Sequence, residues 1–158
     1  EIPNLKYIDE IFKLKRKYTA FKQNMFYYKF NLLNLTEKIW YGSKMCKLKY
    51  LKSPQWIRNQ KVKNYSFFRI DKINWNIVED GGWHFSNIMT PEQISEKIKS
   101  FAHSEYNKPE FTNIDLIKQK IEAKKDIFNR NFQFIKINNN KLPKYIEENK
   151  NKFSQFLL

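Results

Sequence analysis

The stretch Gly81-Gly82-Trp83-His84-Phe85-Ser86 carries the most information about fold and site. Two adjacent glycines allow the backbone to pass close to a ligand, because they have no Cβ. Trp83 offers a flat apolar face that can stack on a sugar or a base. His84 is one of only two histidines in the chain, and neutral imidazole is the commonest metal ligand in proteins. We therefore predict a loop that belongs to a site.

The sequence before this stretch predicts both helices and strands. Apolar spacing predicts one or two amphipathic helices over residues 5–24. Aromatic and alternating segments predict strands over 25–33 and 45–51. A short helix follows over 54–61, and residues 65–70 and 73–78 are predicted to form a hairpin.

The sequence after the stretch has a well-marked helix start. Thr90 is the predicted N-cap, Pro91 takes the first helical position, and Gln93 can close a capping box. This helix is expected to end near His103. Three further elements are predicted: a helix from Asn113, a strand over 132–137 and a last helix over 142–156.

Alternating strands and helices predict an α/β fold, with a mixed sheet flanked by helices. The chain of 158 residues is long enough for one domain with its own core. Too few strands are visible to complete a sheet. We therefore expect residues 1–158 to be a single-domain fragment whose first half lies upstream of Glu1.

The net charge of +14 suggests an anionic partner. Lysine supplies nearly all of it, whereas arginine is preferred for bidentate recognition of bases and phosphates. Codon bias towards Lys, Asn, Ile, Phe and Tyr is a sufficient cause of this excess of positive charge. No nucleic-acid-binding motif is present. A basic, aromatic-rich domain that binds nucleic acid or an anionic surface is therefore the second hypothesis and not the first.

Cys46 is the single cysteine and is predicted to be a buried free thiol.

Five segments occur in an order that matches a known family. They are Glu1-Ile2-Pro3, Gly82-Trp83-His84-Phe85-Ser86, Thr90-Pro91-Glu92, Ser100-Phe101-Ala102-His103-Ser104-Glu105 and Leu142-Pro143-Lys144-Tyr145. Together they resemble glycosyltransferase family 17, over essentially the whole chain. The named animal members of that family are the β-1,4-mannosyl-glycoprotein 4-β-N-acetylglucosaminyltransferases, which act in protein N-linked glycosylation.

The resemblance implies the C-terminal part of a GT-A-like fold and a metal-dependent, inverting glycosyltransferase. The donor would be a UDP-sugar, UDP-GlcNAc in the animal enzymes, and the acceptor a glycan or other saccharide. Mn²⁺ or Mg²⁺ would neutralise charge on the departing UDP. The family's Asp-x-Asp motif would fall just before Glu1, so the fragment alone is expected to be inactive. The animal relatives lie in the Golgi membrane; a microbial relative would be cytoplasmic or membrane-associated, with peripheral membrane contact.

The resemblance also suggests roles for the residues of the central stretch. His84 is either a metal ligand or a structural histidine that donates to a carbonyl. Trp83 either stacks on a sugar or packs under the loop. Ser86 either binds a phosphate or caps a turn.

An inverting transfer needs a base that accepts the proton of the acceptor hydroxyl. Glu105, Asp80 and Glu1 are the candidates for this base. His103 either orients Glu105 or caps its helix, where a histidine is favoured by the helix dipole.

Arg58 and Arg130 occur in family-like contexts. Each would bind a diphosphate or a buried carboxylate, or form a structural ion pair. An inactive remnant of a transferase is the remaining alternative for the chain as a whole.

Overall fold

The computed structural model describes residues 1–13, 16–36, 39–63, 72–100 and 106–158. The chain divides into two compact units, unit 1 (Glu1–Asn24 and Ile39–His84) and unit 2 (Met25–Lys38 and Phe85–Leu158). None of the helices in the described ranges is both long and apolar enough to cross a membrane.

Both units combine strands with helices. The strands are β1 (Ile2–Pro3), β2 (Tyr18–Phe21), β3 (Asn24–Tyr27), β4 (Leu32–Asn34), β5 (Lys44–Cys46), β6 (Trp75–Val78), β7 (Gly82–Ser86) and β8 (Phe134–Lys136). The helices are α1 (Ile8–Lys13), α2 (Pro54–Asn59), α3 (Pro91–Lys99), α4 (Pro109–Thr112), α5 (Ile114–Glu122) and α6 (Lys144–Glu148). This mixture confirms the predicted α/β class, with mixed sheets flanked by helices.

Unit 1 is built around β2. This strand pairs antiparallel with β5 and parallel with β6. The side chains of Ile11, Phe21 and Val78 are buried together, and Met45 packs against them. Cys46 is half-buried in β5 rather than fully buried, and burial raises the pKa of its thiol. β1 pairs antiparallel with the start of β7, with Ile2 opposite Trp83 and Pro3 opposite Gly82.

Unit 2 holds the larger core. β4 pairs antiparallel with β3 and with β8, and helices α3, α4 and α5 pack against one another. Their apolar sides join the strands in one cluster of buried side chains: Met25, Tyr27, Tyr28, Leu32, Ile94, Ile98, Phe111, Ile117, Ile121, Ile127 and Phe134.

Helices with local start signals match the sequence predictions. Thr90 caps α3, accepting from the Gln93 backbone N–H at 3.4 Å, and the Gln93 amide oxygen accepts from the Thr90 N–H at 3.0 Å. α2 and α5 begin after Ser53 and Asn113, whose side chains accept from Trp56 and Leu116. β6 and β8 are also confirmed within the predicted segments.

Four predicted elements differ from the structure. Residues 18–21 form a strand and not a helix, because they are the central strand of a sheet and aromatic and β-branched side chains suit that position. The predicted strand over 25–33 is a hairpin, with Tyr28 at φ 63° between its strands. After β5, Leu48–Tyr50 form a 3₁₀ turn. The last predicted helix ends at Glu148. Residues 65–70, the predicted first strand of a hairpin with 73–78, lie outside the described residues.

Asp126 is a buried carboxylate that links several segments of unit 2 through hydrogen bonds. Its carboxylate accepts hydrogen bonds from Tyr28 Oη at 2.7 Å, from Arg130 Nε and Nη2 at 2.9 and 2.8 Å, and from the backbone N–H groups of Phe128 and Arg130. The Arg130 guanidinium stacks over the Phe132 ring at 4.1 Å. Burial opposes ionisation of Asp126, but the hydrogen bonds from Arg130 and Tyr28 outweigh it and lower its pKa. The carboxylate therefore ties β3 to the segment after α5.

Asp126→Asn is expected to lower the free energy of unfolding by about 2 to 3 kcal/mol at pH 7, since hydrogen bonds to a charged group are lost. Because the folded-state pKa lies below the ordinary 3.8, this stabilisation is complete above that value and is lost as the pH falls through the folded pKa. Chemical denaturation at neutral and acid pH measures both effects.

Glu148→Gln is the matched control, because the pair that Glu148 forms with Lys144 at 3.6 Å is exposed. It should change stability by less than about 0.5 kcal/mol. Equal losses in the two variants would contradict the anchoring role of Asp126.

Candidate functional site

β1 and β7 bring Glu1 and His84 together. Ile2 pairs with Trp83 and Pro3 with Gly82, and the Asn4 N–H donates to the Gly81 carbonyl at 2.9 Å. Glu1 Oε1 lies 3.5 Å from His84 Nδ1. Two of the five segments that carry the family resemblance are therefore neighbours in space.

Trp40 completes what we call the Glu1–Trp40–His84 cluster. Its indole Nε1 donates to Glu1 Oε1 at 2.8 Å, and its ring centre lies 4.9 Å from that of His84. The His84 side chain is 20% exposed and that of Glu1 37% exposed. The cluster is thus partly accessible to solvent, and the indole N–H orients the carboxylate.

Gln23 holds the Trp40 segment in place. Gln23 and Trp40 exchange two backbone hydrogen bonds, of 2.8 and 3.2 Å. The buried amide of Gln23 also donates to Ser43 Oγ at 3.1 Å. Neither Gln23 nor Trp40 was among the predicted site residues. The signal that could have identified Trp40 is its position two residues before Gly42, at a break between predicted elements.

The predicted loop at Gly82–Ser86 is wrong, because these residues form β7. The two glycines allow neighbouring segments of the backbone to pack closely against β7 and the turn before it. A Cβ on Gly81 would collide with the Lys22 backbone, and a Cβ on Gly82 would collide with the Ile2 carbonyl. Gly82 also has φ +116°, a conformation that favours glycine. A Cβ on Gly42 would overlap the Glu1 carboxylate and the Trp40 indole.

Gly82→Ala is expected to lower the free energy of unfolding by about 2 to 4 kcal/mol, because backbone strain adds to a clash with fixed backbone atoms. Gly42→Ala should cost only about 1 kcal/mol, because the side chains that it meets can move. It should nevertheless break the Trp40–Glu1 hydrogen bond.

Chemical denaturation compares the stabilities of these variants, and the NMR resonance of the Trp40 indole N–H reports the hydrogen bond. An unchanged indole resonance in Gly42→Ala would contradict the packing of the cluster.

Acidic residues before β7 bind neighbouring side chains. Lys22 Nζ donates to Glu79 Oε2 at 2.6 Å, and this hydrogen bond raises the pKa of the lysine. Asn4 Nδ2 donates to Asp80 Oδ2 at 3.0 Å. Asp80, a predicted base, is therefore an exposed carboxylate that fastens the segment after β1 to the turn before β7.

A cleft of about 1180 Å³ in unit 1 is lined by Glu1, Trp40, Lys44 and Arg58, among others. Lys44 Nζ donates to the carbonyls of Arg58 and Gln60, both at 2.8 Å. Burial lowers the pKa of Lys44, and the Glu1 carboxylate opposes part of that shift. The cleft thus combines a carboxylate, an aromatic face and several cations.

The other predicted site residues fall in three groups. Trp83 is half-buried in β7, opposite Ile2. Ser86 and Arg130 belong to unit 2 and line a cavity of about 200 Å³, where Arg130 forms its ion pair with Asp126. Glu105 and His103 lie outside the described residues.

A divalent cation fits the donor chemistry of the cluster in part. A carboxylate oxygen and an imidazole nitrogen are both ligands that Mn²⁺ accepts. Within the described ranges, no three His, Cys, Asp or Glu side chains group in a way that could hold a metal ion. Glu1 and His84 would therefore provide two ligands of a site that needs others.

Comparisons with known proteins identify no relative. No protein-family model, curated protein or solved structure matches the chain.

Proposed function

We propose that the chain is the C-terminal part of a GT-A-like glycosyltransferase that resembles family 17. It would transfer N-acetylglucosamine from UDP-GlcNAc, with inversion and in β-1,4 linkage, to a glycan acceptor. The observation that supports this proposal best is the pairing of β1 with β7. It joins the Glu-Ile-Pro segment to the Gly-Trp-His segment, as a shared role in one site requires.

In this proposal, Glu1 and His84 bind the divalent cation. The remaining ligands would be the Asp-x-Asp carboxylate expected before Glu1, diphosphate oxygens and water. The cation would neutralise charge on the departing UDP. Trp40 supports the site by donating to Glu1 Oε1 at 2.8 Å, because a hydrogen-bonded carboxylate is held in one orientation.

The cleft in unit 1 is the proposed place for saccharide. The Trp40 side chain is 41% exposed, and an exposed indole can cover the apolar face of a sugar ring. Arg58, Lys61 and Lys63 also line this cleft and would attract anionic groups of the substrates.

Glu105 is the preferred candidate for the catalytic base. Glu1 is assigned to the cation, and the Asp80 carboxylate is bound by the Asn4 amide. The base takes the proton of the acceptor hydroxyl as its oxygen attacks the anomeric carbon. UDP leaves from the opposite face, so the anomeric configuration inverts.

The test is a Mn²⁺-dependent UDP-GlcNAc turnover assay on the full-length protein. His84→Ala and Glu1→Gln are each expected to reduce turnover about 100-fold, because the first removes a donor to the cation and the second replaces a charged donor with a neutral one. Both should raise the Mn²⁺ concentration that gives half-maximal rate. Glu79→Gln is the matched control, since this exposed carboxylate pairs with Lys22 and should leave turnover within about twofold of wild type.

Turnover that is insensitive to a chelator, or equal in His84→Ala and wild type, would contradict the proposal. Nucleic-acid binding would show a different signature, a steep loss of affinity with added salt. Binding of that kind without turnover would favour the alternative of a basic binding domain. An inactive full-length protein that still binds UDP would favour a remnant.

A further inference from the structure

One segment of the sequence, most of it in unit 1, carries strongly one-sided charge. Between Glu37 and Asp71 the sequence contains no Asp or Glu. The same interval contains nine basic residues: Lys38, Lys44, Lys47, Lys49, Lys52, Arg58, Lys61, Lys63 and Arg69. A codon bias towards lysine would act throughout the chain, and it would not explain why acidic residues are missing from this one interval. Such an interval favours contact with an anionic partner.

A leucine projects from the middle of this segment. Leu48 begins the 3₁₀ turn Leu48–Tyr50 and is 83% exposed. The exposed residues Lys47 and Lys49 flank it. The turn is fixed by backbone hydrogen bonds, from Lys47 N–H to the Lys17 carbonyl at 3.2 Å and from Tyr50 N–H to the Lys47 carbonyl at 2.9 Å. The apolar side chain is therefore held at the surface by ordered backbone.

Lysines lie over the aromatic rings of residues that follow this leucine in the chain. Lys17 Nζ and Lys49 Nζ lie 5.0 and 5.1 Å from the centre of the Tyr50 ring, and Lys52 Nζ lies 5.5 Å from that of Trp56. We call this surface the Leu48 patch: Lys17, Lys47, Leu48, Lys49, Tyr50, Lys52 and Trp56. No carboxylate in the described part of the chain forms an ion pair with these lysines. Their charge is left for an external anion.

We propose that the Leu48 patch binds the surface of an anionic phospholipid membrane. Each lysine near such a surface is attracted to the lipid phosphates, and an exposed leucine gains by entering the boundary between headgroups and acyl chains. Tyrosine and tryptophan are enriched at this depth of a bilayer. Charge complementarity and the single apolar tip together specify this occupant, independently of the proposed transferase activity.

A nucleic acid fits this patch less well. Single-stranded nucleic acid is bound by stacking bases on open aromatic faces, whereas lysine ammonium groups already lie over Tyr50 and Trp56. A leucine that is 83% exposed also gains nothing from a phosphate backbone. An anionic membrane surface can interact with both the lysines and the exposed leucine.

Co-sedimentation of the protein with vesicles tests the proposal. The vesicles contain phosphatidylcholine alone or phosphatidylcholine mixed with phosphatidylserine. Wild type should bind the mixed vesicles far better, and added salt should weaken this binding. Combined Lys47→Gln, Lys49→Gln and Lys52→Gln substitutions should lower the partition coefficient on the order of 100-fold. Leu48→Ser should lower it roughly tenfold without changing the charge.

The control carries Lys125→Gln, Lys150→Gln and Lys152→Gln, which remove the same charge from exposed positions of unit 2. Its binding should fall less than about fivefold. Equal losses in the two triple variants would overturn the proposal, because they would show attraction by net charge alone. Leu48→Ser binding as wild type would also overturn it, as would binding of single-stranded RNA but not of vesicles. Unchanged circular dichroism in each variant shows that the fold is retained.

Discussion

The antiparallel pairing of β1 with β7 is the interaction on which the candidate site depends. It requires Gly82 at φ +116° with the Ile2 carbonyl packed directly against its Cα, a position that a side chain would block. Once the strands pair, Glu1 must lie beside His84. Trp40 then closes the cluster through its hydrogen bond to Glu1. The glycines thus act through the backbone, and the candidate site is formed by residues on either side of them.

The two units differ in how their charged side chains are partnered. In unit 2, Asp126 is buried and fully engaged by Arg130, Tyr28 and backbone N–H groups, so this pair stabilises a core. In unit 1, Lys44 is engaged by carbonyl groups, while the lysines of the Leu48 patch face solvent. Buried charges are costly unless they are paired, whereas exposed cations remain available to a partner. The lysines of the Leu48 patch on unit 1 are therefore available to a partner.

Local signals were the most predictable part of the fold. The N-cap of α3 is set by Thr90, Pro91 and Gln93, which interact within four residues, so the helix start could be predicted closely. The strand at Tyr18–Phe21 could not, because its pairing with β5 and β6 involves distant residues. His84 and Glu1 were predicted as site residues from their residue types and the family resemblance, and the structure places them side by side. Trp40 was missed, because its role depends on the Gln23 segment that holds it.

The sequence by itself determined the α/β class, the capped helices and the excess of positive charge, since these follow from short-range patterns and composition. Tertiary structure alone decided that the Gly-Trp-His segment is a strand and that Glu1, Trp40 and His84 meet. It also decided that the Asp126 carboxylate beside Arg130 is buried and that Leu48 stands exposed among lysines. These outcomes depend on which distant segments pair and which side chains are buried, and neither follows from local sequence.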